Sequence, residues 1–314
     1  MSLIRKRFLL GFLLSCIIST TVLSKTEVSK ADASKAGAAD SHHAPEGSYQ
    51  VFDLTSNIKM LQGKGGNIGV LVGEEGIVLI DDDYASMSDA LTAALVPFGG
   101  VEKLSYIINT HWHGDHTGGN HVMGLEASIV AHENVRQRLM TRQEIKAFGM
   151  VSEPYPEVAL PSVTFREALS LYINDEQLQL IHLPSGHTDG DSIVYFKKAN
   201  VFHLGDHFFN GIFPFVDVEN GGNVLMMTKN LKGILSLMNE TSLIIPGHGP
   251  LATKLDLISF IDMLSGTTAE VQAMKAKGLS VTQMQEKGLS DHWDDWAKGL
   301  LNAKTWIGII DSSL

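Results

Sequence analysis

Cysteine is almost missing from this chain. One residue in 314, Cys16, is a cysteine, and it lies in the leading segment. A chain cut after Ser24 has none. That excludes a disulfide framework, even in an oxidising compartment, and it excludes a thiolate metal ligand. Positive charge is also short: 24 Lys and Arg face 35 Asp and Glu, a formal net charge of -11. An acidic surface repels polyanions and anionic lipid, so nucleic acid and a membrane surface are excluded as partners. A small molecule is the expected substrate, and the sequence is silent on oligomeric state. Long apolar runs are missing too. The one candidate, residues 8–18, is too short for a comfortable membrane span. No short-period repeat and no run of like charge is present.

What is present at the start reads as a secretory signal over residues 1–24. Arg5, Lys6 and Arg7 form its basic end, residues 8–18 its apolar core, and Val22-Leu23-Ser24 a cleavage site. The expected location is therefore periplasmic or secreted, with no stable membrane association after cleavage. Two rivals stay open: lipoprotein anchoring through Cys16, and an uncleaved anchor. Residues 25–48, rich in Ala, Ser and Lys, read as a flexible linker, and His42 and His43 inside it are expected to be inert.

Residues 49–314 read as one catalytic domain ending in helices. Alternating or clustered apolar residues predict strands at 51–54, 58–61, 68–72 and 77–80, the last two joined by a hairpin at Gly73-Glu74-Glu75-Gly76. A helix is expected over 88–96 with Ser88 as N-cap, and a buried strand over 104–108. Helix is expected over 133–148, followed by an irregular segment at Glu153-Pro154-Tyr155-Pro156-Glu157. Further strands are expected at 163–165, 169–173, 178–183, 193–196, 201–204 and 243–245. Helix is expected over 224–238 and mostly after 255. Two strand-rich halves, each followed by helix, imply two sheets packed face to face with helices outside.

Four strand ends deliver histidine or aspartate, and such junctions are where reactive side chains collect. The first runs into His111-Trp112-His113-Gly114-Asp115-His116. The others run into Gly186-His187, Gly205-Asp206 and Pro246-Gly247-His248-Gly249-Pro250. His111 and His113, two apart on extended chain, point the same way. Five histidines and two aspartates are seven candidate ligands. That is too many for one tetrahedral ion and suits two ions sharing a bridge. His182, His203 and His207 are read as packing or supporting residues, and His132 and His292 as structural.

The pattern His-x-His-x-Asp-His, with His187 before Thr188-Asp189-Gly190, Asp206 after Gly205, and His248 in Pro-Gly-His-Gly-Pro, resembles the metallo-β-lactamase superfamily. The resemblance runs from about Tyr49 to Pro250. It implies an α/β (α+β) fold, a four-layer αββα sandwich with the metals at one edge of the sheets. It implies two zinc ions (Zn2+): His111, His113 and His187 on the first, Asp115, His116 and His248 on the second, and Asp206 bridging. Asp81, with Asp82 as the alternative, would support the site from behind. Asp115 would orient the attacking water and shuttle a proton. Asp206 stands where one group of true β-lactamases has Cys, which is similar to glyoxalase II and to exported hydrolases of unassigned substrate. The implied activity is cleavage of an acyl bond (thioester, ester or lactone). The alternatives are β-lactam hydrolysis and a non-catalytic periplasmic zinc-binding protein.

Overall fold

The computed structural model describes residues 47–314. The leading segment with Cys16, and the linker with His42 and His43, lie outside the described residues.

The central strands are buried on both faces, and the way successive side chains point shows why. In β4 (Gly76–Ile80), Ile77 and Leu79 enter one apolar cluster while Val78 and Ile80 enter another. A strand apolar on both faces must lie between two layers. It shares a seven-stranded sheet with β1 (Gln50–Asp53), β2 (Ile58–Gln62), β3 (Ile68–Gly73), β5 (Leu104–Ile108) and β6 (Ser128–His132). After β6 the chain makes a separate hairpin, β7 (Gln143–Ile145) and β8 (Met150–Ser152), and then returns with the edge strand β9 (Val163–Phe165). The first four strands pair antiparallel; β4, β5, β6 and β9 run parallel.

The second sheet has the order β10 (Ala168–Ile173), β11 (Glu176–His182), β12 (Ser192–Phe196), β13 (Val201–Phe209), β14 (Leu243–His248), β15 (Ala252–Thr253). Only β13 and β14 are parallel in it. Ile80, Ile108 and Val130 of the first sheet meet Leu180, Val194 and Ile245 of the second in the central core. Each such fully buried aliphatic side chain contributes roughly 1.5–3 kcal/mol.

Helices cover both outer faces. On the first sheet lie α1 (Ser88–Leu95), the one-turn α2 (Gly114–Thr117) and α3 (Asn120–Met123), and α4 (Glu133–Leu139); Leu91, Leu95 and Met123 pack on Leu79 and Ile107. On the second lie α5 (Val224–Leu235), α6 (Lys254–Ala276), α7 (Val281–Lys287) and α8 (Ala303–Ser313), whose Met227, Leu264 and Trp306 join Phe202 and Ile244. The 23-residue α6 begins at a capping box, Thr253 with Asp256. The architecture is the expected αββα sandwich. Among the described residues no helix is long and apolar enough to cross a membrane.

Three local expectations are corrected. The helix expected over 133–148 stops at Leu139, and residues 143–152 form the β7/β8 hairpin. Val135 and Leu139 satisfy a helical spacing, but Gly149 takes a left-handed φ of 61° and closes a hairpin instead. Ser88 is the first residue of α1 rather than its N-cap, which is Met87. The strand expected over 201–204 continues to Phe209, so Asp206 sits inside β13 and not in a loop beyond it.

Candidate metal centre

β4 and β5 run parallel, as do β13 and β14, so their C-terminal ends open on one edge of the sandwich. Open parallel sheets offer ligand crevices at such ends. β4 delivers Asp81, the segment after β5 delivers His111 and His113, and α2 turns Asp115 and His116 inward. The loop after β11 carries His187, and β14 ends on His248. Asp206 projects from β13 where its register with β14 shifts, next to Gly205 at φ 51°. A bulge of this kind re-aims a side chain. Glycine is required twice here: a Cβ on Gly205 would strike Thr110, and one on Gly247 would strike the Asp206 carboxylate.

The seven side chains form two adjoining groups, His111, His113, His187 and Asp206 in one, Asp115, His116 and His248 in the other. Within each group the donor atoms lie within 4.8 Å of one another. Asp206 touches both. Its Oδ2 is 3.8 Å from His111 Nε2 and 3.6 Å from His187 Nε2. Its Oδ1 is 3.1 Å from His116 Nε2 and 3.5 Å from His248 Nε2. Asp115 Oδ2 lies 3.3 Å from His248 Nε2 and 3.7 Å from His116 Nε2.

The remote ring nitrogens of His111, His113 and His116 are held by fixed partners, which decides which lone pair faces the centre. Asp81, at φ 64°, accepts Thr110 N–H and Thr110 Oγ1–H, each at 2.7 Å, and His116 Nδ1–H at 2.7 Å. Thr110 Oγ1 in turn lies 3.0 Å from His111 Nδ1. His113 Nε2–H donates to Asp217 Oδ2 at 3.1 Å, which leaves the lone pair on Nδ1. Asn220 donates to the same Asp217 oxygen at 2.8 Å, and Arg138 donates to Asn220 at 2.7 Å. Asp191 accepts the backbone N–H groups of His187 and Thr188 at 2.6 and 2.8 Å, pinning the loop that carries His187.

Burial drives the His111 imidazole well below the ordinary histidine range and lowers His187 to about 3, so both are neutral, the form that binds metal. For His116 and His248 burial also acts downward, but the Asp206 and Asp115 carboxylates outweigh it; His116 is held well above its usual range and His248 at about 9. Asp206 is held well below the carboxylate range: burial acts upward, but the charges of His116 and His248 outweigh it.

The donor set fits zinc. His111 Nε2 and His187 Nε2 are buried without a hydrogen-bond partner, and both lie beside Asp206 Oδ2, at 3.8 and 3.6 Å. An unpaired buried polar group costs ~1–3 kcal/mol, and two that converge on one carboxylate oxygen are what a cation would satisfy. Imidazole with carboxylate, and no thiolate, suits zinc better than the all-oxygen cations.

All seven residues expected as ligands are brought together, and Asp81 rather than Asp82 reaches a ligand ring. Asp82 instead accepts Gly119 N–H. His203 bonds the Asn67 carbonyl at 3.1 Å, His207 lies 3.3 Å from Asn230 Nδ2, and His132 and His182 stack on each other at 3.7 Å, all outside the two groups. Sequence reasoning assigned no role to Asp217, Asn220 or Asp191. The Phe-Pro-Phe-Val-Asp run at 213–217 and the Thr-Asp-Gly-Asp turn at 188–191 were the available signals.

Residues 61–251 match the family model of the metallo-β-lactamase superfamily. A probable metallo-hydrolase of Methanocaldococcus jannaschii is 26% identical over 201 residues, 62% of this chain and 92% of its own. The type 2 metallo-β-lactamase of Bacillus cereus is 26% identical over 205 residues, 62% of this chain and 71% of its own. Among solved structures, a metallo-β-lactamase from Pontibacter korlensis superposes with a TM-score of 0.56 at 17% identity, covering 69% of this chain and 99% of that one. The sec-alkylsulfatase Pisa1 from Pseudomonas sp. gives 0.60 at 14% identity, covering 83% and 49%. With the sandwich, the edge site and the matched segment in agreement, this chain belongs to the metallo-β-lactamase superfamily, most of whose members are hydrolases, and it carries a candidate metal site.

Proposed function

We propose that the protein is an exported di-zinc hydrolase that cleaves an acyl bond in a small molecule: a thioester, ester or lactone. The observation that carries this reading is the Asp206 carboxylate, with one oxygen turned to His111 and His187 and the other to His116 and His248. A single carboxylate so placed could serve two ions at once. His111, His113 and His187 would hold the first, Asp115, His116 and His248 the second. Bound zinc supplies an acidified water at neutral pH and a Lewis acid for the carbonyl.

The chain's own groups do the rest. Asp81 and Asp217 hold the rings of His116 and His113 in the orientation that presents a lone pair. Asp115, the most solvent-open carboxylate of the seven residues with 21% of its side chain exposed, is the group placed to carry a proton to the departing atom. Asp206 in place of a thiolate favours acyl bonds other than the β-lactam.

Metal analysis of the mature chain, then turnover of a panel of thioesters, esters, lactones and the β-lactam nitrocefin, tests the reading. Two zinc ions per chain with acyl turnover that disappears in His113→Ala is the expected result. Full activity and full metal content in that variant would refute it. Nitrocefin turnover exceeding that of every other substrate would instead support β-lactamase activity, the function named for the B. cereus relative.

A further inference from the structure

An aromatic path leads away from the first group of ligands. The Phe215 ring centroid lies 6.1 Å from that of His113 and 6.0 Å from that of His187. The Phe148 ring packs on Phe215 at 4.7 Å. Phe148 stands at the turn of the β7/β8 hairpin, beside Gly149. So the hairpin tip is one ring beyond the ligands, although it belongs to neither large sheet.

The hairpin exposes apolar side chains beside the charged Glu144 and Lys146. Phe148 is 38% exposed and Met150 45%. Met150 pairs directly with Ile145, so the two share one face of the hairpin. Ile145 packs against the body, beside the cluster of Trp112, Val135 and Leu139. Met150 is thus an apolar side chain on the same face as Ile145, left nearly half open. Glu144, opposite Val151, belongs to the other face.

The hairpin is also fixed to the ligand-supporting loop. Asn220, which bonds Asp217, donates to the Glu144 carbonyl at 3.3 Å, and Lys146 pairs with Glu219 at 3.1 Å. The cations of this quarter are committed: besides Lys146, Arg138 pairs with Asp189 at 2.7 Å and Arg142 with Glu153 at 3.5 Å. Each faces a carboxylate, which offsets its charge and would repel an incoming anionic group.

We propose that Phe215, Phe148 and Met150 form a wall that receives an uncharged, apolar arm of the substrate, on the side of the centre occupied by His113 and His187. This rests on the zinc-hydrolase reading and narrows it to acyl compounds with an alkyl or aryl arm of several carbons and no terminal charge.

The test is binding, separate from turnover. Straight-chain hydroxamic acids, which anchor on zinc, are titrated calorimetrically into the zinc-loaded protein. A buried methylene is worth about fourfold in affinity, so a partly buried four-methylene extension from acetohydroxamate to hexanohydroxamate is expected to tighten binding about 30-fold. Phe148→Ala and Met150→Glu should each remove most of that gain while acetohydroxamate binding stays within about twofold. Both positions are exposed enough for the variants to fold. An arm ending in carboxylate should lose the gain in the wild type. Affinity independent of chain length, no binding at all, equal loss for short and long arms in the variants, or a tight carboxylate-ended arm would each overturn the proposal. Esters of the same acids are assayed in parallel. A chain-length trend in binding without turnover of any ester would sink the hydrolase reading and leave the wall standing.

Discussion

Removing the Asp217 carboxylate should loosen the first metal and spare the second. Asp217 touches no candidate metal position. Its Oδ2 accepts His113 Nε2–H at 3.1 Å and Asn220 Nδ2–H at 2.8 Å, and both His113 and Asp217 side chains are at most 5% exposed. In Asp217→Ala the ring of His113 loses the partner that sets its rotation and its tautomer, and two donors are left with nothing to bond. Loss of such a partner behind a ligating histidine typically costs 10–100-fold in metal affinity. That is about 1.4–2.7 kcal/mol. Asp217→Asn keeps the shape and one accepting oxygen but loses the charge, so it should fall near the lower end, about tenfold. Competition titrations of zinc against a chromophoric chelator resolve the two sites. The first should weaken by the stated factor, and the second should change by less than about threefold, since His116 and His248 have no contact with Asp217. A folded Asp217→Ala variant with both affinities unchanged would refute the idea that this carboxylate positions His113.

Asp206→Ala removes the oxygens facing both groups and should lower the metal content from two ions to at most one; retention of two tightly bound zinc ions by metal analysis would exclude the bridging role. Gly247→Ala puts a methyl group against the Asp206 carboxylate and the Gly205 backbone, and such overpacking costs ~1–3 kcal/mol. It should lower the melting temperature and the metal affinity together, and a neutral result in both would contradict the close approach. The metal-free protein should lose stability on acidification through His203, fully buried, with its Nε2–H on the Asn67 carbonyl and its Nδ1 accepting Gly205 N–H at 3.2 Å. Burial lowers this imidazole to about 4, below its unfolded value of about 6.5. The unfolded chain therefore binds the extra proton first, so the contribution is complete above pH 6.5 and falls by ~3 kcal/mol as the pH drops to 4. Urea melts between pH 7.5 and 4.5 should show a shallower decline in His203→Gln than in the wild type.

Much of the site was legible because its residues are clustered in the chain. His111, His113, Asp115 and His116 fall within six positions, and the remaining ligands each follow a short apolar run and a glycine. Strand identity was legible where short, continuous apolar runs rich in Val and Ile are bounded by turn residues, as in β3, β4 and β12. The hairpin at 143–152 was not legible, because its strands have three residues each and three of its apolar side chains, Phe148, Met150 and Val151, remain exposed. Nothing in so short a pattern separates it from a continued helix. The structure divides the aromatic residues of 208–215 between core and site. Phe208 packs on Phe260 and Phe213 on Trp306, while Phe209 stacks on His248 and Phe215 on His113 and His187.

The sequence by itself determined the chemistry on offer: imidazole and carboxylate without thiol, at strand ends, on an acidic chain. Those are properties of residue type and local spacing, which need no partner to be read. Only the tertiary structure decided which oxygen of Asp206 serves which group, that Asp81 rather than Asp82 reaches His116, and that Asp217, more than 100 positions from His113, holds its ring. Only it sets a hairpin from the middle of the chain one ring away from the ligands. The reason is physical. A side chain's partner across a sheet edge is fixed by strand order and by a bulge at Gly205, and contacts made at such sequence distance leave no periodic trace in the chain that makes them.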